Sequence, residues 1–448
     1  MNVFTLAQNL RVALQQNDPG SALAAVHSLR PADLAETLDL LETHLAWQVL
    51  KQLPGKRRAE VFGYCATPQQ LALSHHLQRT ELVELVAAMS ADERADLFNQ
   101  MDSELRATLL PALAQAERED LCKLAEYPEG CAGALMTSAY ATLAVGLNAA
   151  QAIDSLRHAA PDAETLYQSY VVDEQRRLLG TVSLRQLILA PADTPISQLM
   201  VREVISAQVD TPQEQVAKLI ERYDLLALPI TNGGAQLVGI VTYDDAMDVV
   251  TAEATVDFHK GAGVSTLIGN LKDASISLLY RKRVFWLVLL VFGNLFSGAG
   301  IAAFEDVIAA NIALVFFLPL LVDSGGNAGS QSATLMVRAL ATGEVVLRDW
   351  LGLLRRECLV ALALGITMAA AVSLLGLLRG GPEIALVVAS SMVVIVIVGS
   401  LIGMSLPFVL HRLGLDPATA SAPLITSIAD ASGVLVYFAI ASQVLSLN

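Results

Sequence analysis

Hydrophobic positions along the chain fall into three successive regimes. Up to about residue 130, apolar residues recur at helical spacing in short segments roughly 20 residues apart, as in PADLAETLDLLETHL, TELVELVAAM and ADERADLFNQM. Caps are expected at Ser90 and at Asp102 or Ser103. Proline and glycine are scarce there, so the pattern predicts a helical solenoid or superhelix with no flexible linker after it. Between residues 135 and 250 the sequence repeats itself. LMTSAYATLAVGLNAAQAIDSLR aligns with LMVREVISAQVDTPQEQVAKLIE at a shift of 64, and LLGTVSLRQLIL aligns with LVGIVTYDDAMDV at a shift of 59. Each copy predicts a short strand, a helix, two strands with a glycine turn (Gly180, Gly239) and a final helix. Residues from about 250 to 280 continue as an amphipathic helix. After Arg281 come five apolar segments, 284–303, 307–337, 358–378, 384–410 and 418–445. Each is long enough to cross a hydrocarbon core of about 30 Å at about 1.5 Å per residue.

Composition sharpens this division. Hydrophobic residues make up 54% of the 448, and the mean hydropathy of +0.51 excludes an ordinary soluble protein. From Arg281 onwards nine lysines and arginines balance nine aspartates and glutamates, so the net charge of −15 falls on residues 1–280. That acidity argues against a nucleic-acid partner and favours cations. The N-terminal stretch MNVFTLAQNLRVALQQND has no basic start followed by an apolar core, so no signal peptide is expected and the acidic part is assigned to the cytoplasm. Basic residues then orient the spans. Arg281, Lys282 and Arg283 precede the first, Arg338, Arg348, Arg355 and Arg356 lie between the second and third, and Arg412 lies between the fourth and fifth. With five spans the C-terminus is expected outside. The four cysteines show neither a CxxC pair nor zinc spacing and are read as reduced packing residues.

Chemistry concentrates in three places. Asp430 sits in PLITSIADASGVLVYFAI with no cation in the segment, and a lone carboxylate in lipid normally faces water or an ion. Helical spacing puts Ala422, Thr426 and Asp430 on one stripe. The second place is PLLVDSGGNAGSQSATL, where Pro319 and three glycines predict either a broken helix with freed carbonyls or a glycine-rich helix crossing. Asn327 and Gln331 form a polar pair one turn apart there, with Asp323 a turn earlier. The third is YDDAMDVVTAEATVDFHKGAG, which crowds Asp244, Asp245, Asp248, Glu253 and Asp257. Like charges so close repel unless a cation neutralises them, so a cation-dependent switch is expected. No HExxH, GxSxG or P-loop is present, so no enzyme is expected.

The internal repeat resembles a tandem pair of CBS modules, a fold that commonly senses nucleotides or ions. Six segments in order resemble the MgtE family of Mg²⁺ channels, over nearly the whole chain: MSADERADLFNQM (89–101), YPEGCAGALMTSAY (127–140), RYDLLALPI (222–230), DDAMDVVTAEATVDFHK (244–260), PLLVDSGGNAGSQSATLMVRALATGE (319–344) and PLITSIADASGVLVYF (423–438). This resemblance implies a multi-domain fold: a cytoplasmic α-helical superhelix domain (1–130), tandem α/β CBS modules (131–196 and 197–250), a connecting or plug helix (251–280) and an all-α transmembrane bundle of five helices (281–448). It implies a homodimer in the cell inner membrane with the pore on the two-fold axis. Asp430 would be the pore carboxylate that recognises hydrated Mg²⁺, with Asn327, Thr426 and Ala422 lining the path. Asp92, Asp96, Asp224, Asp245, Asp248, Glu253 and Asp257 would hold regulatory Mg²⁺. Val256 departs from the family, which often has an acid there, and Ala422 and Thr426 replace an Asn and an Ala of some members. The expected function is a magnesium-selective channel or transporter gated by cytoplasmic Mg²⁺. The alternatives are a transporter or exchanger of another divalent ion such as Co²⁺ or Mn²⁺, and a CBS membrane regulator sensing adenosine nucleotides such as ATP.

Overall fold

The structure, a computed structural model, describes residues 3–15, 26, 28–161, 163–265 and 274–445, which divide into two compact units, 1–252 and 253–448. The first opens with short helices: α1 (Val3–Gln15), α2 (Pro31–Leu38), α3 (Thr43–Leu50), α4 (Gly55–Gly63), α5 (Thr67–His76), α6 (Arg79–Ala87), α7 (Ala91–Gln100), α8 (Ser103–Leu109) and α9 (Gln115–Ala125). Their starts are written locally. Pro31 and Pro68 occupy first-turn positions where no amide is needed, and the Asp102 carboxylate accepts the amides of Glu104 and Leu105. Ser90 precedes α7 as expected, but its hydroxyl makes no cap bond. From α2 to α8 each helix packs on the next but one, which is the superhelix expected from their spacing.

A short helix α10 (Ala132–Leu135) leads into two small sheets. The first contains β1 (Tyr140–Ala144), then α11 (Ala149–Ala159), β2 (Thr165–Val172), β3 (Leu178–Ser183) and α12 (Leu184–Leu189). After α13 (Ile196–Leu199) the second repeats the scheme with β4 (Ala207–Gln208), α14 (Gln213–Arg222), β5 (Ala227–Thr231) and β6 (Leu237–Thr242). In each, the first strand runs parallel to the second and the second antiparallel to the third. Gly180 and Gly239 lie inside strands β3 and β6; the turns are at 173–177 and 232–236. The expected glycine turns are corrected: these glycines leave room for methionines. A Cβ on Gly180 would come within 2.9 Å of Met200 Sδ, and one on Gly239 would collide with Met136. Each methionine precedes one copy of the repeat and covers the glycine of the other. The pairing is reinforced by reciprocal backbone bonds between Thr137 and Ile240 and between Thr181 and Val201.

The helix α15 (Tyr243–Gly261) contains the division between the units. The single connecting helix expected to reach residue 280 is corrected. Gly263 has φ +68°, and the amides of Gly263 and Val264 fold back onto the carbonyls of Lys260 and His259, a glycine C-cap that stops the helix. Residues 266–273 of that expected helix lie outside the described residues, and the next helix starts at Ile276.

The second unit holds α16 (Ile276–Ala302), the short α17 (Glu305–Ala310), α18 (Ala313–Ala341), α19 (Trp350–Arg412) and α20 (Ala422–Leu445). Among the described residues, three stretches are long and apolar enough to cross a membrane: Ile276–Ala302, Leu347–Arg412 and Ala422–Leu445. α19 is interrupted at Gly381 (φ 78°) and doubles back, since Cβ atoms on Gly376 and Gly365 would lie 2.7 Å from Ala385 Cα and 2.9 Å from Val393 Cα. α18 is continuous through Pro319 and its glycines, so the broken-helix reading is corrected in favour of the helix crossing. A Cβ on Gly329 would lie 2.7 Å from the Gly399 carbonyl oxygen, and one on Gly399 would collide with the Gly325 carbonyl. The contact is backbone against backbone, with no side chain able to rotate away. Gly399→Val should therefore lower the unfolding midpoint of the detergent-solubilised chain, by about 1–3 kcal/mol of overpacking strain or more. An unchanged midpoint would contradict this helix crossing.

Candidate functional site

In the first unit, α7 presents Asp92, Glu93 and Asp96, Glu164 lies just before β2, and Asp244 and Asp245 open α15. Tertiary packing brings these carboxylates within electrostatic reach of one another. Burial pushes Asp92 up, with Oδ1 buried and lacking a hydrogen-bond partner. Burial, followed by the charges of Asp92 and Glu164, pushes Glu93 up to about 7. Burial and Asp92 push Asp245 up to about 7, although Thr242 donates a hydrogen bond to it at 2.5 Å. Asp96 rises to about 6 through burial, Asp92 and Glu129, and Glu164 rises through burial, Asp92 and Asp244. Gly63 makes room for this arrangement, because a Cβ there would collide with the Glu93 carboxylate. Among the described residues no three His, Cys, Asp or Glu side chains close on one point to hold a metal. The cluster is a shared negative field, suited to an ion that keeps much of its water.

The structure therefore joins Asp92, Asp96 and Asp245 of the expected regulatory residues. Asp248 is exposed, with its charge felt by Tyr64 alongside that of Asp244. Asp224 is exposed at φ 51° in the turn before β5. Glu253 and Asp257 belong to the second unit, where their charges act on Lys260. Sequence reasoning missed Glu93 and Glu164. Glu93 is next to Asp92 in the same acidic turn and could have been included; Glu164 carries no local signal, since only the fold brings it to α7.

In the second unit, Asp430 and Thr426 lie on the face of α20 that meets α18 at Gly326, where a Cβ would be 3.2 Å from both Asp430 Oδ1 and Thr426 Cγ2. Next to that point Asn327 donates to Asp323, one turn earlier on α18, at 3.0 Å, and both are exposed on the chain. Asp323 is also the carboxylate whose charge reaches Asp430. Ala422 is the first residue of α20 and half-buried. Two carboxylates, an amide and a threonine thus gather at this helix crossing, Asp323 and Asn327 exposed and Asp430 and Thr426 half-buried, with the Thr426 hydroxyl donating to the Pro423 carbonyl at 2.9 Å. Asp323, marked in the sequence as one turn before Asn327, is brought by the fold within electrostatic reach of Asp430.

Residues 318–440 match the family described as MgtE, divalent cation transporter, residues 29–130 match the MgtE intracellular N domain, and residues 196–252 match the CBS domain. The chain is 38% identical to the magnesium transporter MgtE of Thermus thermophilus over 443 residues, covering 98% of each. The chain belongs to the MgtE family. The magnesium transporter MgtE of Bacillus subtilis is 33% identical, with 92% of this chain and 93% of that protein covered. Two solved structures superpose on part of the chain. The soluble part of a magnesium transporter has a TM-score of 0.53 at 29% identity, covering 56% of this chain and all of that one. The cytosolic domain of the Mg²⁺ channel MgtE in complex with ATP has a TM-score of 0.52 at 36% identity, covering 54% of this chain and 99% of that one. This MgtE chain thus combines an N domain and CBS modules with a helical C-terminal region carrying apolar helices.

The raised carboxyls make a linkage statement about the first unit of this MgtE chain. Glu93, Asp96 and Asp245 hold protons when folded that they release when unfolded, where carboxyls titrate near about 4. Stability is therefore lost as pH rises from about 4 through about 7, and a cation at the cluster should restore it. In metal-free buffer, hydrogen exchange of residues 91–100, corrected for intrinsic rate, should gain speed between about pH 5 and pH 8 and slow again with Mg²⁺. Protection that ignores both variables would refute the linkage.

Proposed function

We propose that the chain is a magnesium channel or transporter of the cell inner membrane, with five spans, the N-terminus in the cytoplasm and the C-terminus outside. The observation that carries this reading is the polar cluster of Asp430, Asp323, Asn327 and Thr426 at the crossing of α18 and α20, open on the Asp323 and Asn327 side. Carboxylates exposed on apolar helices are costly against lipid and are stabilised by water, a cation or a facing copy of the chain. A homodimer would set two such faces opposite each other and supply four carboxylates to a hydrated divalent ion through outer-sphere hydrogen bonds. The relatives named magnesium transporters support Mg²⁺ as the cargo. Span count and orientation find support in the packing directions. α16 runs alongside α20 in the same sense, α18 runs opposite to it, and α19 doubles back at Gly381.

For regulation, the cytoplasmic acids bind Mg²⁺ when it is plentiful and favour a closed state; when it falls, their repulsion opens the assembly. Asp92, Asp96 and Asp245 carry this in the first unit, joined by Glu93 and Glu164. Asp224, Asp248, Glu253 and Asp257 complete the proposed set. The domains are read as 1–130 for the N domain, 131–196 and 197–250 for the CBS modules, 251–280 for the connecting segment and 281–448 for the pore. ATP is proposed as a CBS ligand because the similar cytosolic domain is solved with ATP.

Uptake in a Mg²⁺-dependent host tests the pore. Asp430→Ala should lower it by at least about tenfold, and Asp323→Asn, which keeps the shape and loses the charge, should lower it several-fold. Equal uptake in both variants at equal membrane abundance would defeat the pore assignment, and Co²⁺ and Mn²⁺ competition ranks the cargo. In liposomes, a chain lacking residues 1–260 should conduct regardless of Mg²⁺ on the cytoplasmic side. Retained inhibition in that truncation would defeat the proposed sensor.

A further inference from the structure

The first unit contains a cleft of about 420 Å³ that the transport reading does not use. Its walls come from three places: the end of α9 and the residues after it, the start of the first sheet, and the two hairpin turns that meet between the sheets. In a body that carries nearly all the net negative charge of the chain, the free charge of this cleft is positive. Lys123 and Arg176 line it, and neither forms an ion pair among the described residues. The acid that lines it, Asp120, is already occupied: Arg94 lies 3.6 Å from its carboxylate, which also accepts the Ser138 hydroxyl at 2.8 Å.

Arg176 is held in place by its surroundings. Its backbone sits at φ 60°, a conformation uncommon for a side chain other than glycine, asparagine or aspartate. That turn is fixed by Leu237 donating to the Arg176 carbonyl at 2.9 Å. The guanidinium donates to the Tyr140 hydroxyl at 2.7 Å and lies 5.8 Å from that ring's centroid. The Tyr140 hydroxyl in turn donates to the Leu237 carbonyl at 3.0 Å, and Gln236 is bound to the Gln175 carbonyl at 3.0 Å. One guanidinium N–H is thus committed, while the remaining donors, with the Lys123 ammonium and the Tyr127 hydroxyl, border the cleft. An unusual backbone held by several hydrogen bonds so that a cation stands at a cleft edge is an arrangement that suits ligand capture.

We propose that this cleft binds a small organic oxyanion carrying at least two negative charges, a phosphate ester or a polycarboxylate, between Lys123 of α9 and Arg176 of the first CBS hairpin. The volume lies in the range of small-molecule sites, about 300–1,000 Å³, and far exceeds what a simple inorganic ion fills. Arginine and lysine together read an oxyanion as a fork and a point charge. Because the walls belong to the helical region and to both sheets, a bound anion ties these three parts together and resists their separation.

The test uses the full chain in detergent, in buffer stripped of divalent ions by chelating resin. Calorimetric titration with citrate and, separately, with inorganic pyrophosphate distinguishes the carboxylate from the phosphate source. Lys123→Gln removes the ammonium from an exposed helical position. Arg176→Gly removes the guanidinium where the backbone suits glycine, so neither variant should disturb folding; unchanged melting without ligand checks this. Saturable binding of at least one probe, weakened about tenfold or more in each variant, is the expected result. Absence of binding by both probes, or binding unaltered by both substitutions, would overturn the proposal.

Discussion

The constraint on which the structure turns is the same in both units: negative charges are brought together where water alone cannot screen them. A single buried carboxylate is unfavourable, and neighbours of like charge make it more so, which is why Glu93 and Asp245 are driven up towards neutrality. A fold tolerates this only if apolar packing elsewhere exceeds the penalty. In the first unit that packing is one continuous core running from α1 through the helical repeats and into the second sheet, with Leu34, Leu50, Phe62 and Ile230 fully buried. The acids sit on its margin. The stability of the unit therefore depends on what neutralises them, which is the property a cation sensor requires.

In the second unit the supporting device is different. Helices can bring Asp430 to Gly326 only because small residues let backbones approach, and Gly325, Gly329, Gly399 and Gly403 do this between α18 and the second half of α19. Behind them Leu314, Phe317, Val387, Val396, Tyr437 and Phe438 form a buried core, and the Tyr437 hydroxyl donates to the Leu314 carbonyl at 3.0 Å. The glycines are thus not openings in the helix but the closest contacts in the bundle. Polar groups are left on the face that packing does not cover, while α16 exposes large apolar side chains such as Phe285, Phe292 and Phe296. An apolar face suits lipid and a polar face suits an ion or a second chain, so the two chemistries separate by helix surface.

What could be read from residues alone followed from periodicity and from isolated oddities. The helical repeats, the duplicated strand pattern and Asp430 were legible because each is a local signal repeated or conspicuous in its setting. Glu164 was not legible, since its meaning arises only when α7 is laid beside it. Gly180 and Gly239 misled for a related reason. A glycine in a strand-rich segment suggests a turn, whereas here it marks where Met200 and Met136 cross between the two copies. The end of α15 was also missed: HKGAG was read as helix, although a left-handed glycine two residues beyond the last helical position is a common stop. The glycines of α18 were ambiguous in sequence because close packing and helix breaking select the same residue.

That stop at Gly263 has a mechanical consequence inside the second unit. Lys260, in the last turn of α15, is paired with Asp416, whose other oxygen accepts the Ala418 amide at 2.9 Å in the loop before α20. A Cβ on Gly263 would lie 3.3 Å from Pro423, and the Ser265 amide donates to the Lys282 carbonyl at 3.1 Å. The end of α15 is therefore held at the head of the helix that carries Asp430 and against the start of α16. Glu253 and Asp257, upstream on the same helix, act on the same Lys260, so its charge is divided between its own helix and the loop. Asp416 is already the strongest partner of Lys260, and neutralising those two acids would remove their competing pull on the ammonium and tighten the hold on α20. Charge on α15 is thus coupled, through one ammonium group, to the start of α20 two turns before Asp430.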